Sequence, residues 1–272
     1  MARSGGRSKG AAFITGGSSG IGLALAERLA GEGHDLALFA RRLEMLEEAR
    51  ADLLARFPDR RVLVFAVDVA NEGSCAAAVQ AASGALGAPE WAIANAGIAR
   101  PGLFLQQPAS DHLDQMATNY FGALHFARAC APLMRAAGGG RLVFVSSGAA
   151  FFGIHGYSAY APSKFALRGL AEVLRVELQP HGISVTLAYP PDTDTPQLVA
   201  EGKTKPAATK AITAGGGLWQ PRAVADHIVG KAKKGRFTAA PGFQMALLAF
   251  AHSLLAPALR RYQAAIVRKH PG

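Results

Sequence analysis

A glycine-rich turn near the start of the chain constrains the possible folds more than any other feature. The apolar run Ala11–Ile14 leads into the turn, which reads Thr-Gly-Gly-Ser-Ser-Gly-Ile-Gly at positions 15–22, and a helical pattern over Ile21–Ala30 follows at once. The glycines permit a tight turn and a close approach to a pyrophosphate, and the helix start adds free N–H groups and a positive dipole end. This unit predicts a dinucleotide site, against the alternative of a turn with a structural role only. The candidate phosphate-binding residues are Gly16, Ser18, Ser19, Gly20, Ile21 and Gly22.

Short apolar runs alternate with longer helical patterns along the first 190 residues. The runs predict buried strands at Ala11–Ile14, Asp35–Ala40, Val62–Val67, Trp91–Ala94, Leu142–Ser146 and Ile183–Ala188. The patterns between them predict helices at Ile21–Ala30, Leu43–Arg56, Ser74–Leu86, Ser110–Ala137 and Ser158–Gln179. Because the strands are apolar throughout rather than alternating with polar residues, both faces of the sheet must be covered. We predict an α/β fold: a single Rossmann-like, doubly wound parallel sheet with helices on both faces.

Length and composition agree with one main domain. The chain has 272 residues, of which 50% are hydrophobic and 18% charged, so it can build a full core. We predict a flexible basic tail at 1–10, a nucleotide-binding domain at 11–240 with a mobile substrate loop at about 190–220, and an apolar and basic extension at 241–272. Cys75 and Cys130 are too few for a disulfide scaffold, which favours a reducing compartment and a cytoplasmic location.

The net charge of +10 is compatible with several kinds of partner. Such a charge attracts anions, whether nucleic acid, nucleotide phosphates or an acidic membrane surface. Aromatic and basic residues are not interleaved and no zinc-finger spacing occurs, so we predict no nucleic-acid partner. His155 and His181 lack the spacing of metal ligands, and we predict no metal site.

The second and third strands carry the candidates for cofactor preference. An acidic residue at the end of the second strand would bind the ribose 2′-hydroxyl of NAD, but Arg41 and Arg42 stand there instead. A guanidinium suits a 2′-phosphate, so the sequence favours NADPH/NADP, against the alternative that both arginines are only solvated. Asp68, followed by Val69, either accepts a hydrogen bond from the adenine amino group or caps the next helix.

A tyrosine and a lysine share one face of a predicted helix. Tyr160 and Lys164 are four residues apart, and Ser147 ends the strand before that helix. A tyrosine with a pKa of about 10 exchanges protons poorly at neutral pH unless a cation is near, and we expect Lys164, together with the positive nicotinamide of an oxidised cofactor, to lower this pKa. Ser147 is placed to hydrogen-bond a substrate oxygen. Such a pair is common on helices and alone proves little.

The order of several motifs identifies a family. Thr15-Gly-x-x-x-Gly-x-Gly22, Asn95-Ala-Gly97, Asn119, Ser147 and Tyr160-x-x-x-Lys164 resemble the short-chain dehydrogenase/reductase family from Ala11 to about Thr195. The resemblance implies a proton-donating Tyr160, a carbonyl-positioning Ser147, a Lys164 that binds the nicotinamide ribose, and an Asn119 that holds a water. It also implies cofactor contacts from Asn95, Tyr160, Lys164, Pro190, Thr193 and Thr195. Ala94 and Pro191 depart from the family pattern, in which an Asn and a Gly stand at those positions.

A narrower resemblance concerns the substrate. The string Pro-Pro-Asp-Thr-Asp-Thr-Pro at 190–196 is similar to the substrate loop of the 3-ketodihydrosphingosine reductases within that family. This similarity implies NADPH-dependent reduction of the 3-keto group of a long-chain keto-amine lipid. The alternatives are a 3-oxoacyl, steroid or broad-specificity carbonyl reductase, and a cofactor-binding regulatory protein without turnover.

Several residues near the predicted site have two interpretations. Phe151, Phe152 and Ile154 either line an apolar tunnel for an acyl chain or pack in the core. Asp192 and Asp194 either meet the amine of the substrate or cap the following helix.

The C-terminal segment and the assembly state are open in the same way. Phe243–Leu259 is apolar but is expected to be too short to span a bilayer. It forms either a core or dimer-interface helix, or an amphipathic segment in peripheral contact with a membrane on its cytoplasmic face. The family resemblance implies a homodimer or homotetramer formed through the helices at Ser110–Ala137 and Ser158–Gln179.

Overall fold

Seven parallel strands form one sheet in the order β3-β2-β1-β4-β5-β6-β7, in a computed structural model that describes residues 8–270. The strands are β1 (Ala11–Thr15), β2 (Asp35–Ala40), β3 (Val62–Ala66), β4 (Pro89–Ala94), β5 (Gly140–Val145), β6 (Ile183–Ala188) and β7 (Thr238–Ala239). The strand order reverses between β1 and β4, since β2 pairs with one edge of β1 and β4 with the other. In open sheets of this kind the crevice at the carboxyl ends of those strands is where ligands bind.

Ten helices accompany the sheet in the described part of the chain. They are α1 (Gly20–Gly31), α2 (Leu43–Arg56), α3 (Glu72–Leu86), α4 (Ala109–Met116), α5 (Gly122–Ala136), α6 (Tyr160–Glu177), α7 (Pro196–Thr204), α8 (Ala207–Thr213), α9 (Pro221–Lys233) and α10 (Gly242–Lys269). A π-helical turn, Ala117–Phe121, joins α4 to α5.

Each face of the sheet has its own hydrophobic core. Phe13 and Phe39 point to one face and pack with Phe126 of α5. Leu38 and Trp91 belong to the opposite core, with Leu25 of α1. Residues on both faces are fully buried, as the continuous apolar strands require. The predicted α/β fold, a doubly wound parallel sheet covered on both faces, is confirmed.

The structure corrects several predicted elements. The single helix expected over Ser110–Ala137 is interrupted by the π-helical turn, and the two-residue strand β7 was not predicted. The loop expected at about 190–220 contains α7 and α8. Residues 1–7 of the predicted basic tail lie outside the described residues, so the tail stays a prediction.

The C-terminal helix is longer than the apolar run that predicts it. α10 has 28 residues, about 42 Å of helix, and meets the length and composition of a membrane span. The expectation that this segment is too short to cross a bilayer is therefore wrong on length. None of its residues is fully buried, although one face packs on the body, where His252 contacts the Arg168 guanidinium at 3.1 Å and stacks near Phe151.

The glycine-rich turn is built by close contacts. Gly16 and Gly20 have φ angles of 66° and 56°, which side chains other than glycine rarely adopt. A Cβ atom on Gly22 would clash with the Gly16 carbonyl oxygen and lie 2.6 Å from Asn95 Nδ2. The first turn of α1 thus packs directly on the turn that precedes it.

We expect Gly22→Ala to lower the free energy of unfolding by about 1–3 kcal/mol, because the added methyl overpacks this contact. Gly230→Ala is the matched control, since a Cβ there meets no atom within 4 Å and a helical alanine is favoured over glycine by about 0.5–1 kcal/mol. Urea denaturation of both variants measures the difference. Equal stabilities would contradict the packing argument.

Candidate active site

A cavity of about 680 Å³ opens at the carboxyl ends of the strands. It runs from the glycine-rich turn past the end of β5 to α7 and α10. The predicted site residues that line it are Gly16, Ser18, Ser19, Gly20, Ile21, Arg41, Arg42, Asp68, Val69, Asn95, Ser147, Tyr160, Lys164, Pro190, Thr193 and Thr195. Gly22 and Asn119 are not part of the lining, but each contacts a residue that is: Gly22 contacts Gly16, and Asn119 contacts Ile98.

Hydrogen bonds join the turn to β4. The Thr15 hydroxyl accepts from the backbone N–H of Asn95 at 2.9 Å and of Ala96 at 3.0 Å. The Asn95 amide donates back to the carbonyls of Thr15 at 3.0 Å and Gly16 at 3.3 Å. The side chain of Asn95 therefore fixes the shape of the turn.

The nucleotide end of the cavity fits a phosphorylated cofactor. No side chain caps α1, so its first N–H groups face the turn. Arg41 and Arg42 are exposed, and within residues 8–270 neither guanidinium pairs with a carboxylate. These free cations lie where a 2′-phosphate would carry negative charge.

Asp68 has a local role that the sequence left open. Its Oδ1 accepts from the Ala70 N–H at 3.0 Å, while Asn71 caps α3 by accepting from the Ser74 N–H at 2.8 Å. Capping therefore belongs to Asn71, and Asp68 shapes the turn before the helix and lines the cavity.

Tyr160, Lys164 and Ser147 meet at the centre of the cavity. Tyr160 and Lys164 occupy the first turns of α6 and are only 7% and 4% exposed. The Ser147 side chain is close enough to the Tyr160 hydroxyl to lower the pKa of that hydroxyl. Lys164 Nζ donates to the Val145 carbonyl at 3.1 Å and lies 5.7 Å from the centre of the Tyr160 ring. A hydroxyl pair and a buried cation thus converge on one point.

Burial dominates the protonation of this group. It lowers the pKa of Lys164 to about 8, against a smaller opposite effect of the Glu201 charge. It also raises the pKa of Tyr160, with a further increase from Glu201 and a decrease from the Ser147 side chain. Desolvation is the largest effect on Tyr160 in the structure, and the lowering of its pKa expected from Lys164 together with a positive nicotinamide stays a prediction.

Asn119 is held within the π-helical turn. Its Oδ1 accepts from the Ile98 N–H at 2.8 Å, and its Nδ2 donates to the Ile98 carbonyl and to Ser163 Oγ, each at 2.9 Å. A Cβ on Gly97 would lie 3.2 Å from Asn119 Oδ1 and 3.5 Å from Lys164 Nζ. Asn119 therefore ties the segment after β4 to α6 beside Lys164; its water-holding role stays a prediction.

The sequence analysis missed an ionic cluster on α7. Glu201 is buried and accepts from the Tyr157 hydroxyl at 3.2 Å and from Gln197 Nε2 at 3.0 Å. The buried Lys205 lies 3.4 Å from Asp192 Oδ2. Positions 197, 201 and 205 are spaced by four, as on one helix face, and this spacing was the available signal. The spacing was overlooked because this segment was expected to be a mobile loop.

The two interpretations of the neighbouring residues are now separated. Thr195 caps α7 by accepting from the Leu198 N–H at 3.2 Å, so neither aspartate caps it; Asp192 faces the cavity and Asp194 is exposed. Phe151 packs in the core against Tyr189, with 4.3 Å between ring centres. Phe152 and Ile154 line the cavity together with the α10 residues Leu248, Leu255 and Leu259. This end of the cavity is apolar.

We expect Lys164→Met to stabilise the protein at pH 7 relative to the parent chain. The pKa of Lys164 in the folded protein, about 8, lies below the ordinary lysine value of 10.5, so between these values the unfolded chain binds more protons and the parent chain gains stability as pH rises. The advantage of the variant should therefore shrink by about 3 kcal/mol from pH 7 to pH 10.5.

Urea denaturation at four pH values between these limits measures this change. Lys234→Met, which removes an exposed lysine, serves as the control. A stability difference for Lys164→Met that does not vary with pH would contradict the argument.

Comparison with known proteins identifies the family. The family model described as short chain dehydrogenase matches residues 10–206. A zebrafish (Danio rerio) protein named 3-dehydrosphinganine reductase is 40% identical over 232 residues, covering 84% of this chain and 70% of the relative. A Dictyostelium discoideum 3-ketodihydrosphingosine reductase is 36% identical over 277 residues, covering 91% and 82%.

A solved structure gives the same result at the level of the fold. L-sorbose reductase from Gluconobacter frateurii, complexed with NADPH and L-sorbose, superposes with a TM-score of 0.75 at 27% identity, covering 86% of this chain and 94% of that one. The chain belongs to the short-chain dehydrogenase family.

Proposed function

We propose that the protein reduces the 3-keto group of 3-ketodihydrosphingosine, a long-chain keto-amine lipid, with NADPH. The observation that carries this proposal is the Tyr160–Ser147–Lys164 group, which lies at the junction of a nucleotide-binding crevice and an apolar chamber. The chamber is the end of the cavity lined by Phe152, Ile154, Leu248, Leu255 and Leu259. The names of the animal and slime-mould relatives support the choice of substrate. Such a chamber suits an alkyl chain, and the crevice suits the reductant.

Each residue of the site has a distinct role in the proposed reaction. NADPH, when bound, supplies the hydride that is added to the carbonyl carbon. Ser147 and Tyr160 donate hydrogen bonds to the carbonyl oxygen, and Tyr160 transfers its proton to that oxygen as negative charge develops. One hydride and one proton convert the ketone to a secondary alcohol. Lys164 keeps a positive charge beside the tyrosinate left behind, and Asn119 holds the water through which the proton is replaced.

Other residues of the cavity are suited to bind a phosphorylated cofactor. Arg41 and Arg42 bind the 2′-phosphate, and the residues of the glycine-rich turn bind the pyrophosphate at the start of α1. Asp68 and Val69, which line the cavity, would hold the adenine, and Pro190, Thr193 and Thr195 would hold the nicotinamide. The L-sorbose reductase structure, which contains NADPH, supports this assignment.

We propose that residues 11–240 form this reductase domain and that 241–272 form an extension that contacts a membrane surface. The outer side of α10 exposes Phe243, Phe250 and Leu254 at 81%, 90% and 84%. Its inner side carries Leu255 and other residues that line the cavity. A helix lying in the bilayer surface satisfies both faces, and the net charge of +10 favours anionic lipid. The free, buried cysteines agree with a reducing, cytoplasmic side.

We also propose that two or four copies associate through α4, α5 and α6. This surface exposes large apolar side chains, which often mark an interface. They are Leu113 on α4, Phe121 in the π-helical turn, and Phe165, Val173 and Val176 on α6.

Tyr160→Phe should reduce turnover of 3-ketodihydrosphingosine by about 100-fold or more, because the proton donor is lost while the ring that packs at the site is retained. NADPH consumption in mixed micelles measures turnover, and NADPH fluorescence on binding should be unchanged. Tyr120→Phe, which alters a tyrosine outside the cavity, serves as the control. A parent protein that binds NADPH but does not reduce this ketone would contradict the proposed substrate.

Substituting Asn for Phe243, Phe250 and Leu254 together should weaken binding to vesicles that contain anionic lipid by about tenfold or more, because three large apolar side chains no longer insert. Co-sedimentation measures the bound fraction. Phe104→Asn with Leu105→Asn, a pair that is also exposed, is the control. Equal binding by all three proteins would exclude α10 as the contact.

A further inference from the structure

Glu201 is a buried carboxylate on the substrate side of the cavity. It is 8% exposed and lines the cavity from α7. Its two close partners, the Tyr157 hydroxyl and Gln197 Nε2, are both neutral donors. Among the residues that the structure describes, no cationic group lies within 4.0 Å of it. Lys205 and Lys164 act on the Glu201 charge only from beyond 4.0 Å, and burial raises the pKa of this carboxyl, so it lacks a close positive partner.

The neighbouring ion pair does not fill this need. Lys205 is buried and its ammonium pairs with Asp192 at 3.4 Å. The cluster thus has two carboxylates, Asp192 and Glu201, for one ammonium. A ligand that brings a second ammonium would balance the charges.

The position of Glu201 relative to the reacting group is suitable. Its partner Tyr157 packs edge-on against Tyr160, with 5.3 Å between the ring centres. The Glu201 charge also acts on both Tyr160 and Lys164, raising the pKa of each. In 3-ketodihydrosphingosine the amine is attached to the carbon next to the carbonyl. A carbonyl oxygen held by Tyr160 and Ser147 therefore brings the amine to the same side of the cavity.

We infer that Glu201 binds the protonated amine of the substrate and selects α-amino ketones over ketones that lack the amine. Tyr157 and Gln197 are positioning residues, because their hydrogen bonds hold the carboxylate toward the cavity. The inference rests on the proposed function and names the determinant of its specificity.

The test compares two substrates. One is 3-ketodihydrosphingosine, and the other is the same chain with hydrogen in place of the amine. The parent protein should prefer the amino ketone in kcat/KM. Glu201→Gln should reduce this preference by about 10- to 100-fold, the value of a hydrogen bond between charged groups. Asp194→Asn, which neutralises an exposed carboxylate of the same segment, should leave the preference unchanged.

The outcomes separate this inference from the proposed function. A parent protein that reduces neither ketone contradicts both. Activity of the parent on both ketones, with equal losses for both in Glu201→Gln, supports the function and assigns Glu201 a structural role, which overturns the inference.

A second measurement needs no variant, in case Glu201→Gln does not fold. Octadecylamine should inhibit the parent protein about tenfold or more better than octadecanol, in competition with the ketone. Equal inhibition by the amine and the alcohol would overturn the inference.

Discussion

The hydroxyl of Thr15 holds together the two strands between which the cavity opens. It accepts two backbone N–H groups from the end of β4, and Asn95 returns its amide to the carbonyls at the end of β1. The segment after Asn95 continues to Ile98, which Asn119 clamps on both its N–H and its carbonyl. Asn119 in turn contacts Ser163, the residue before Lys164. Hydrogen bonds and two short stretches of chain thus connect the phosphate-binding turn to the reacting group.

The reacting group is maintained at a cost in stability. Folding removes the ammonium of Lys164 and the phenol of Tyr160 from water. Burial lowers the pKa of Lys164 and raises that of Tyr160, which favours the neutral form of each. The surrounding protein returns only part of the lost hydration, through the Val145 carbonyl and the Ser147 hydroxyl. A folded chain with a large apolar core can carry such a site, and this is the usual relation between stability and activity in enzymes.

The sequence predicts the fold and the nucleotide side well because their signals are local. A buried parallel strand is a short apolar run, and the phosphate-binding turn is a contiguous string of residues, so each can be recognised without knowledge of distant contacts. β7 has two residues and gains its place only by pairing with β6, which no local pattern shows. α7 was not expected because prolines and glycines surround it, yet Thr195 caps it and its contacts with Tyr157 order Glu201. The effect of burial on the pKa of Tyr160 was not visible from the sequence because burial is a property of the whole structure.

The helix α10 presents one side to the cavity and the other to the outside. A helix with its side chains is only about 10 Å across, so the thickness of this one helix separates the chamber from the outer surface. If the outer side lies in a bilayer, as proposed above, an alkyl chain would need to move only about this distance from lipid to chamber. The rate of such an enzyme depends on the number of substrate molecules per unit area of membrane. Diluting the substrate with other lipids would then slow the reaction even when the total amount in the sample is constant.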